Sequence, residues 1–261
     1  MFWFLTLLLA CQRHFDPPKK APVRNPSASW RILLTDIVDE EGLVNYGLLE
    51  SRRDTLDSYV SWISEHGPFS DEVLSRYEDK KVAFYLNAYN ALVMYAVLEN
   101  MPIQSVSDVK VGLYTKPNVG FFFGQRFKVD GEWMSLYHLE MERLLGNFHN
   151  PLIHAGLNCA SKGCPPPRFY SHYKLNDTLN TQMKEFVNSS RGSQKGSDGW
   201  AVSELFVWYE KDFTRWSQAK TLCEYLADYA EEDLKDWLLN QEPECQLSTF
   251  AYDWSLNETI P

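Results

Sequence analysis

Lys80 to Glu99 reads K-K-V-A-F-Y-L-N-A-Y-N-A-L-V-M-Y-A-V-L-E. Its apolar residues have helical spacing but cover nearly the whole circumference, so this helix is buried on most sides. Its ends are too polar for a membrane span. Asn87 and Asn90 lie three apart and share one face. A buried asparagine must find partners, so the pair reads foremost as a clamp between this helix and a neighbouring loop. A direct catalytic role for Asn87 is the alternative.

Outward from this helix, Trp30–Ile37 and Leu48–Ile63 have helical spacing, with Gly42–Tyr46 as an extended link. Ser70 precedes two acids and reads as an N-cap. The apolar run from Phe121 to Val129, then Asp130-Gly131, then Glu132–Met134 predicts a hairpin. Ser135 caps a helix reaching Leu145. Leu152–Leu157 and Leu205–Tyr209 read as short strands, and 176–186, 217–229 and 231–239 as helices. Ser189–Gly199 reads as an exposed loop. Helices come first and short strands later, with no repeat and no linker after residue 29. The pattern predicts an α+β fold: one domain over 29–261, its helices packed on a small, mainly antiparallel sheet.

The 261 residues carry a net charge of −10, are 44% hydrophobic and 15% aromatic, and include five cysteines. That composition supports a large core and excludes wholesale disorder. The negative balance argues against nucleic acid as a partner, since phosphates meet no positive field. Met1–Ala10 is uncharged and apolar, and Cys11 follows. Ten residues rise only about 15 Å as a helix, half a bilayer core. A short apolar run closing on Leu8-Leu9-Ala10-Cys11 resembles a bacterial lipoprotein signal, so residues 1–11 are expected to supply a cleaved signal and a lipid-bearing Cys11 that makes the membrane a partner. Gln12 after it is similar to outer-membrane sorting, with the domain facing the periplasm. Residues 12–28 contain four prolines and read as a tether.

With Cys11 lipidated, four cysteines remain in a compartment that permits disulfides. They allow three connectivities. Proximity favours Cys159–Cys164 and Cys223–Cys245. The densest chemistry lies at 150–168, N-P-L-I-H-A-G-L-N-C-A-S-K-G-C-P-P-P-R. Three readings compete there. In a thiol enzyme, Cys159 or Cys164 attacks an acyl carbon, His154 is the base, and Asn158, Asn87 or Glu140 orients or stabilises. In a disulfide loop, the two cysteines shape the chain beside His154 without reacting. A zinc site would use Cys159, Cys164 and His154, but no further Cys/His pair completes it. No cofactor motif stands out. Asp212-Phe213 and Asp253-Trp254 read as turn caps.

Five blocks together resemble the family called domain of unknown function 547: A-F-Y-L-N-A-Y-N at 83–90, S-L-Y-H-L-E at 135–140, I-H-A-G-L-N-C-A-S-K-G-C-P-P at 153–166, W-Y-E-K-D-F at 208–213 and Y-D-W-S-L-N at 252–257. Met141 and Leu152 depart from it, standing where the family commonly has His and Arg. The order of elements in that family is similar to transglutaminase-like and papain-like thiol enzymes, an analogy at the level of fold. Those enzymes place the nucleophile at the start of a helix, where this chain offers Asn87. The resemblance leaves two functions open. One is hydrolase or transferase chemistry on a peptide or acyl bond of an envelope substrate. The other is a non-catalytic envelope-binding domain with a Cys159–Cys164 loop.

Overall fold

The computed structural model describes residues 12–20, 24–197 and 199–259. Cys11 and the apolar run before it lie outside the described residues. The strands are β1 (Arg13–Phe15), β2 (Gln125–Val129), β3 (Glu132–Met134), β4 (Ser193–Gly196), β5 (Gly199–Ser203) and β6 (Ser248–Phe250). The helices that frame the site are α1 (Pro26–Ile37), α2 (Arg53–Glu65), α3 (Glu78–Asn100), α4 (Leu139–Leu145), α5 (Ile153–Gly156), α6 (Leu175–Asn188), α7 (Glu204–Trp208) and α8 (Glu210–Arg215). The fold is α+β, as the order of elements predicts.

α3 is the axis of the molecule. Every residue from Val82 to Leu98 is buried, as its all-round apolar surface requires. α2 and α4 pack against it. α1 begins with Pro26 behind an Asn25 cap, whose side chain accepts from the Ala28 amide. This start-signal chemistry is favourable at a helix N-terminus.

The single, mainly antiparallel sheet is replaced by two small mixed sheets. In the first, β1 lies parallel to β2 with Arg13 opposite Gln125, and β2 pairs antiparallel with β3. In the second, β4 and β5 are antiparallel and β6 is parallel to β5. Each sheet is a hairpin that captures a distant strand, one from each end of the chain. The first hairpin turns at Asp130-Gly131, with φ of 50° and 85°. Two successive positive φ values are what a type I′ turn needs, and the glycine makes the second inexpensive.

Several local expectations change. Residues 13–15 belong to the domain rather than to a tether: Phe15 is buried and stacks on Phe127. Leu152–Leu157 contains the helical turn α5 instead of a strand. Asn150 accepts from the Leu152 amide and opens that turn, and a short apolar run alone does not distinguish the two states. Leu205–Tyr209 lies largely in α7, because the Ser203 side chain caps it. Part of 189–199 is strand β4 rather than loop. Asp71, not Ser70, caps the helix at Glu72–Ser75, while Ser70 bonds Asp130.

The asparagine clamp is present. Asn87 donates to the Tyr170 carbonyl at 2.7 Å and accepts from its amide at 3.1 Å. Asn90 donates to the Gly156 carbonyl and accepts from the Asn158 amide at 2.9 Å. Truncating Asn87 leaves both Tyr170 backbone groups buried and unpaired. Asn87→Ala is expected to lose on the order of 3 kcal/mol, read as a lower urea midpoint with an unchanged m-value.

Candidate active site

α5 ends at Gly156, where Asn90 holds its carbonyl, and the chain then enters the cysteine loop. Asn158 fastens that loop from inside. Its side chain donates to Pro165 and accepts from Ala160 and from Asn257. Asn257 in turn accepts from the Tyr46 hydroxyl. Asn87 and Asn158 are therefore positioning residues in buried networks, and neither lines the cavity described next.

Glu140, His154, Cys159 and Cys164 do line one cavity, of about 160 Å³, together with aromatic walls from Phe123, Tyr137, Tyr209, Trp208, Tyr252 and Trp254. Of the six candidate residues, the fold brings these four together. Cys159 and Cys164 are joined in a disulfide, as are Cys223 and Cys245. These are the pairings that proximity favours. A sulfur in a disulfide is neither a thiolate nucleophile nor a zinc ligand, so the thiol-enzyme and zinc readings fail for this oxidised form. Among the described residues the one cluster with metal-ligand proximity is Cys223, Glu242 and Cys245, whose sulfurs are likewise joined.

His154 is 4% exposed. Its Nε2 lies 3.0 Å from Asp212 Oδ2. Its ring sits between Tyr209, at 4.1 Å between centroids, and Phe213, at 5.1 Å. Asp212 thus fixes the ring orientation, and it leaves Nδ1 as the nitrogen available to a bound molecule.

Glu140 stands on α4, a π-helix, a form found frequently at functional sites. Tyr89 donates to its Oε2 at 2.9 Å and Tyr209 to its Oε1 at 3.1 Å. Burial pushes the Glu140 carboxyl above the usual range; the Tyr89 hydroxyl, nearby His154 and the Tyr209 hydroxyl offset part of that rise. The Glu140 charge, then burial, pushes Tyr209 far up, so it stays a donor. Tyr209 joins the two halves of the site, with its ring on His154 and its hydroxyl on Glu140.

Asp212 and Tyr209 are the site residues that the sequence reading misses. Asp212 lies 58 residues from His154 and reads as a cap; the one signal for either residue is their shared block W-Y-E-K-D-F at 208–213. Tyr252 reaches the cavity from the C-terminal tail, with its hydroxyl 2.8 Å from Cys164 Sγ and 3.0 Å from Cys159 Sγ. Gly163 admits its ring, since a Cβ there would meet Tyr252 Cε2 at 2.8 Å. Asp253 does cap a turn, accepting from the Ser255 amide.

Residues 74–187 match the family described as "Protein of unknown function, DUF547". No curated protein and no solved structure matches the chain. The matched stretch includes Tyr89, Glu140, His154 and both cavity cysteines, while Asp212 and Tyr252 lie beyond it. That match supports a DUF547 family domain within this chain.

Proposed function

We propose that this is an acid–base enzyme acting on a peptide or acyl bond of a bacterial-envelope substrate, anchored by a lipid on Cys11 and facing the periplasm. One observation carries the catalytic half: His154, oriented by Asp212, shares an aromatic-walled cavity with a carboxyl whose pKa is raised. An oriented imidazole and a buried carboxyl at one cavity supply candidates for the base and the acid. The nucleophile is water, because both cavity sulfurs are joined. His154 takes the proton of water as its oxygen attacks the acyl carbon. Protonated Glu140 then supplies a proton to the leaving group, and the imidazolium returns one to Glu140. The envelope half is supported by the Leu8–Cys11 pattern and by two disulfides, which persist in oxidising compartments. Among the described residues no helix is long and apolar enough to cross a membrane.

A binding-only domain is the second reading. The ring walls favour it: Phe123 stacks on Tyr137 at 4.0 Å and Trp208 on Trp254 at 5.8 Å. Ligand capture without turnover by the wild type would support it over the enzyme.

His154→Ala is expected to lower turnover of envelope peptides or acyl esters by roughly 10² to 10⁴-fold, and Asp212→Asn by about 10²-fold through a misplaced ring. A screen in which His154→Ala matches the wild type overturns the enzyme. Activity should fall as pH rises through the elevated Glu140 value, because the donor is then ionised. Glu140→Gln should remove that limb of the kcat/KM profile. Folding stability follows the same sign, since a raised carboxyl favours the folded state at low pH and loses that contribution as pH rises through the folded value. Fatty-acid labelling should mark the wild type and spare Cys11→Ser.

A further inference from the structure

A structural disulfide holds parts of a chain that would otherwise drift. The Cys159–Cys164 loop does not need one. The Lys162 amide donates to Ser255 and the Gly163 amide to Asp253, both at 2.9 Å. Asn158 spans the loop from Ala160 to Pro165. A sequence separation of five also gives cross-linking the least entropy to remove.

What surrounds the sulfurs instead suits exchange chemistry. Both line the cavity that His154 lines. Cys164 is 2% exposed, and Cys159 is the less buried of the two. Cys164 Sγ accepts from the Cys159 amide at 3.0 Å and from the Tyr252 hydroxyl at 2.8 Å. The hydroxyl also lies 3.0 Å from Cys159 Sγ, but the amide and the shorter hydroxyl contact both fall on Cys164; donors at a sulfur stabilise it as a thiolate, and a stabilised thiolate leaves faster. The second disulfide receives the Cys223 amide at 3.0 Å but does not line this cavity, which makes it an internal control.

We propose that Cys159–Cys164 is a redox-active disulfide that exchanges with the thiols of a cysteine-bearing peptide entering the cavity. This activity does not depend on the hydrolytic reading. His154 accepts the proton of the incoming thiol. The peptide thiolate attacks Cys159 Sγ, forming a peptide–Cys159 disulfide. The Cys159–Cys164 bond breaks, and Cys164 leaves with the electron pair as a thiolate held by the Cys159 amide and Tyr252. His154 releases its proton to solvent and takes that of a second peptide thiol, whose thiolate attacks the peptide sulfur of the mixed disulfide, and Cys159 leaves as a thiolate. The peptide loses two electrons and two protons and gains a disulfide; the pair gains both electrons. The reverse steps with a disulfide-bearing partner restore the oxidised form.

The test equilibrates the folded full-length chain in glutathione buffers of varied ratio, quenches by alkylation and counts thiols by mass spectrometry. Cys159–Cys164 is expected to pass from disulfide to dithiol within that range while Cys223–Cys245 stays oxidised. Tyr252→Phe keeps the ring but loses one donor, and should shift the midpoint by about tenfold in the glutathione equilibrium toward the oxidised form. Cys164→Ser with oxidised glutathione should gain one glutathione, on Cys159. The proposal is overturned if both disulfides stay oxidised or open together, if Tyr252→Phe leaves the midpoint unmoved, or if wild-type mixed disulfide forms on Cys164. If Cys164→Ser does not fold, the wild-type titration and Tyr252→Phe still decide it.

Discussion

Two side-chain amides on a buried helix hold the rest of the molecule in register. Asn87 and Asn90 project from α3 toward the same side and supply, in place of water, the partners for backbone groups at 156, 158 and 170. A backbone stretch that changes from helical turn to loop to proline run has no ladder of its own to join. Left unpaired inside the protein, each of its polar groups would cost about 1 to 3 kcal/mol. The carboxamide is well suited to the task, since it donates and accepts in one plane. Because α3 is enclosed on all sides, it cannot shift to accommodate a misplaced loop. The positions of His154, Cys159 and Cys164 follow from that rigidity.

The network extends past the loop. Asn158 passes the restraint to Asn257, and Asn257 to Tyr46. Residues more than two hundred positions apart therefore share one buried chain of hydrogen bonds. At the cavity the same economy of polar groups recurs. A buried carboxylate is costly alone, but Tyr89 and Tyr209 face its two oxygens, and Asp212 braces the imidazole from behind. The polar groups of the cavity thus hold one another in place.

What the sequence made legible was what local chemistry decides. The apolar circumference of Val82–Leu98 announced the central helix, the Asp130-Gly131 pair announced its hairpin, and the asparagine clamp followed from burial alone. Proximity was enough for both disulfides. The errors arose where distant segments decide. A four-residue apolar turn at α5 has no period long enough to separate helix from strand. Ser193–Gly196 reads as loop because it lies in the Ser- and Gly-rich stretch Ser189–Gly199, and it becomes a strand only through pairing with β5. Asp212 looks like a cap because its partner lies far away in the chain. The prolines of 12–28 hid the fact that Phe15 needed a place in the core.

That last residue belongs to a strand with a protective role. β2 is the middle strand of its sheet only because β1 lies along it. A domain boundary drawn at residue 29 would remove β1 while leaving every cavity residue in place. It would uncover a row of backbone donors and acceptors on β2 and the face of Phe127 that Phe15 covers. Such an edge is a template for pairing with another chain. A truncated protein would thus keep every cavity residue and still be lost to self-association.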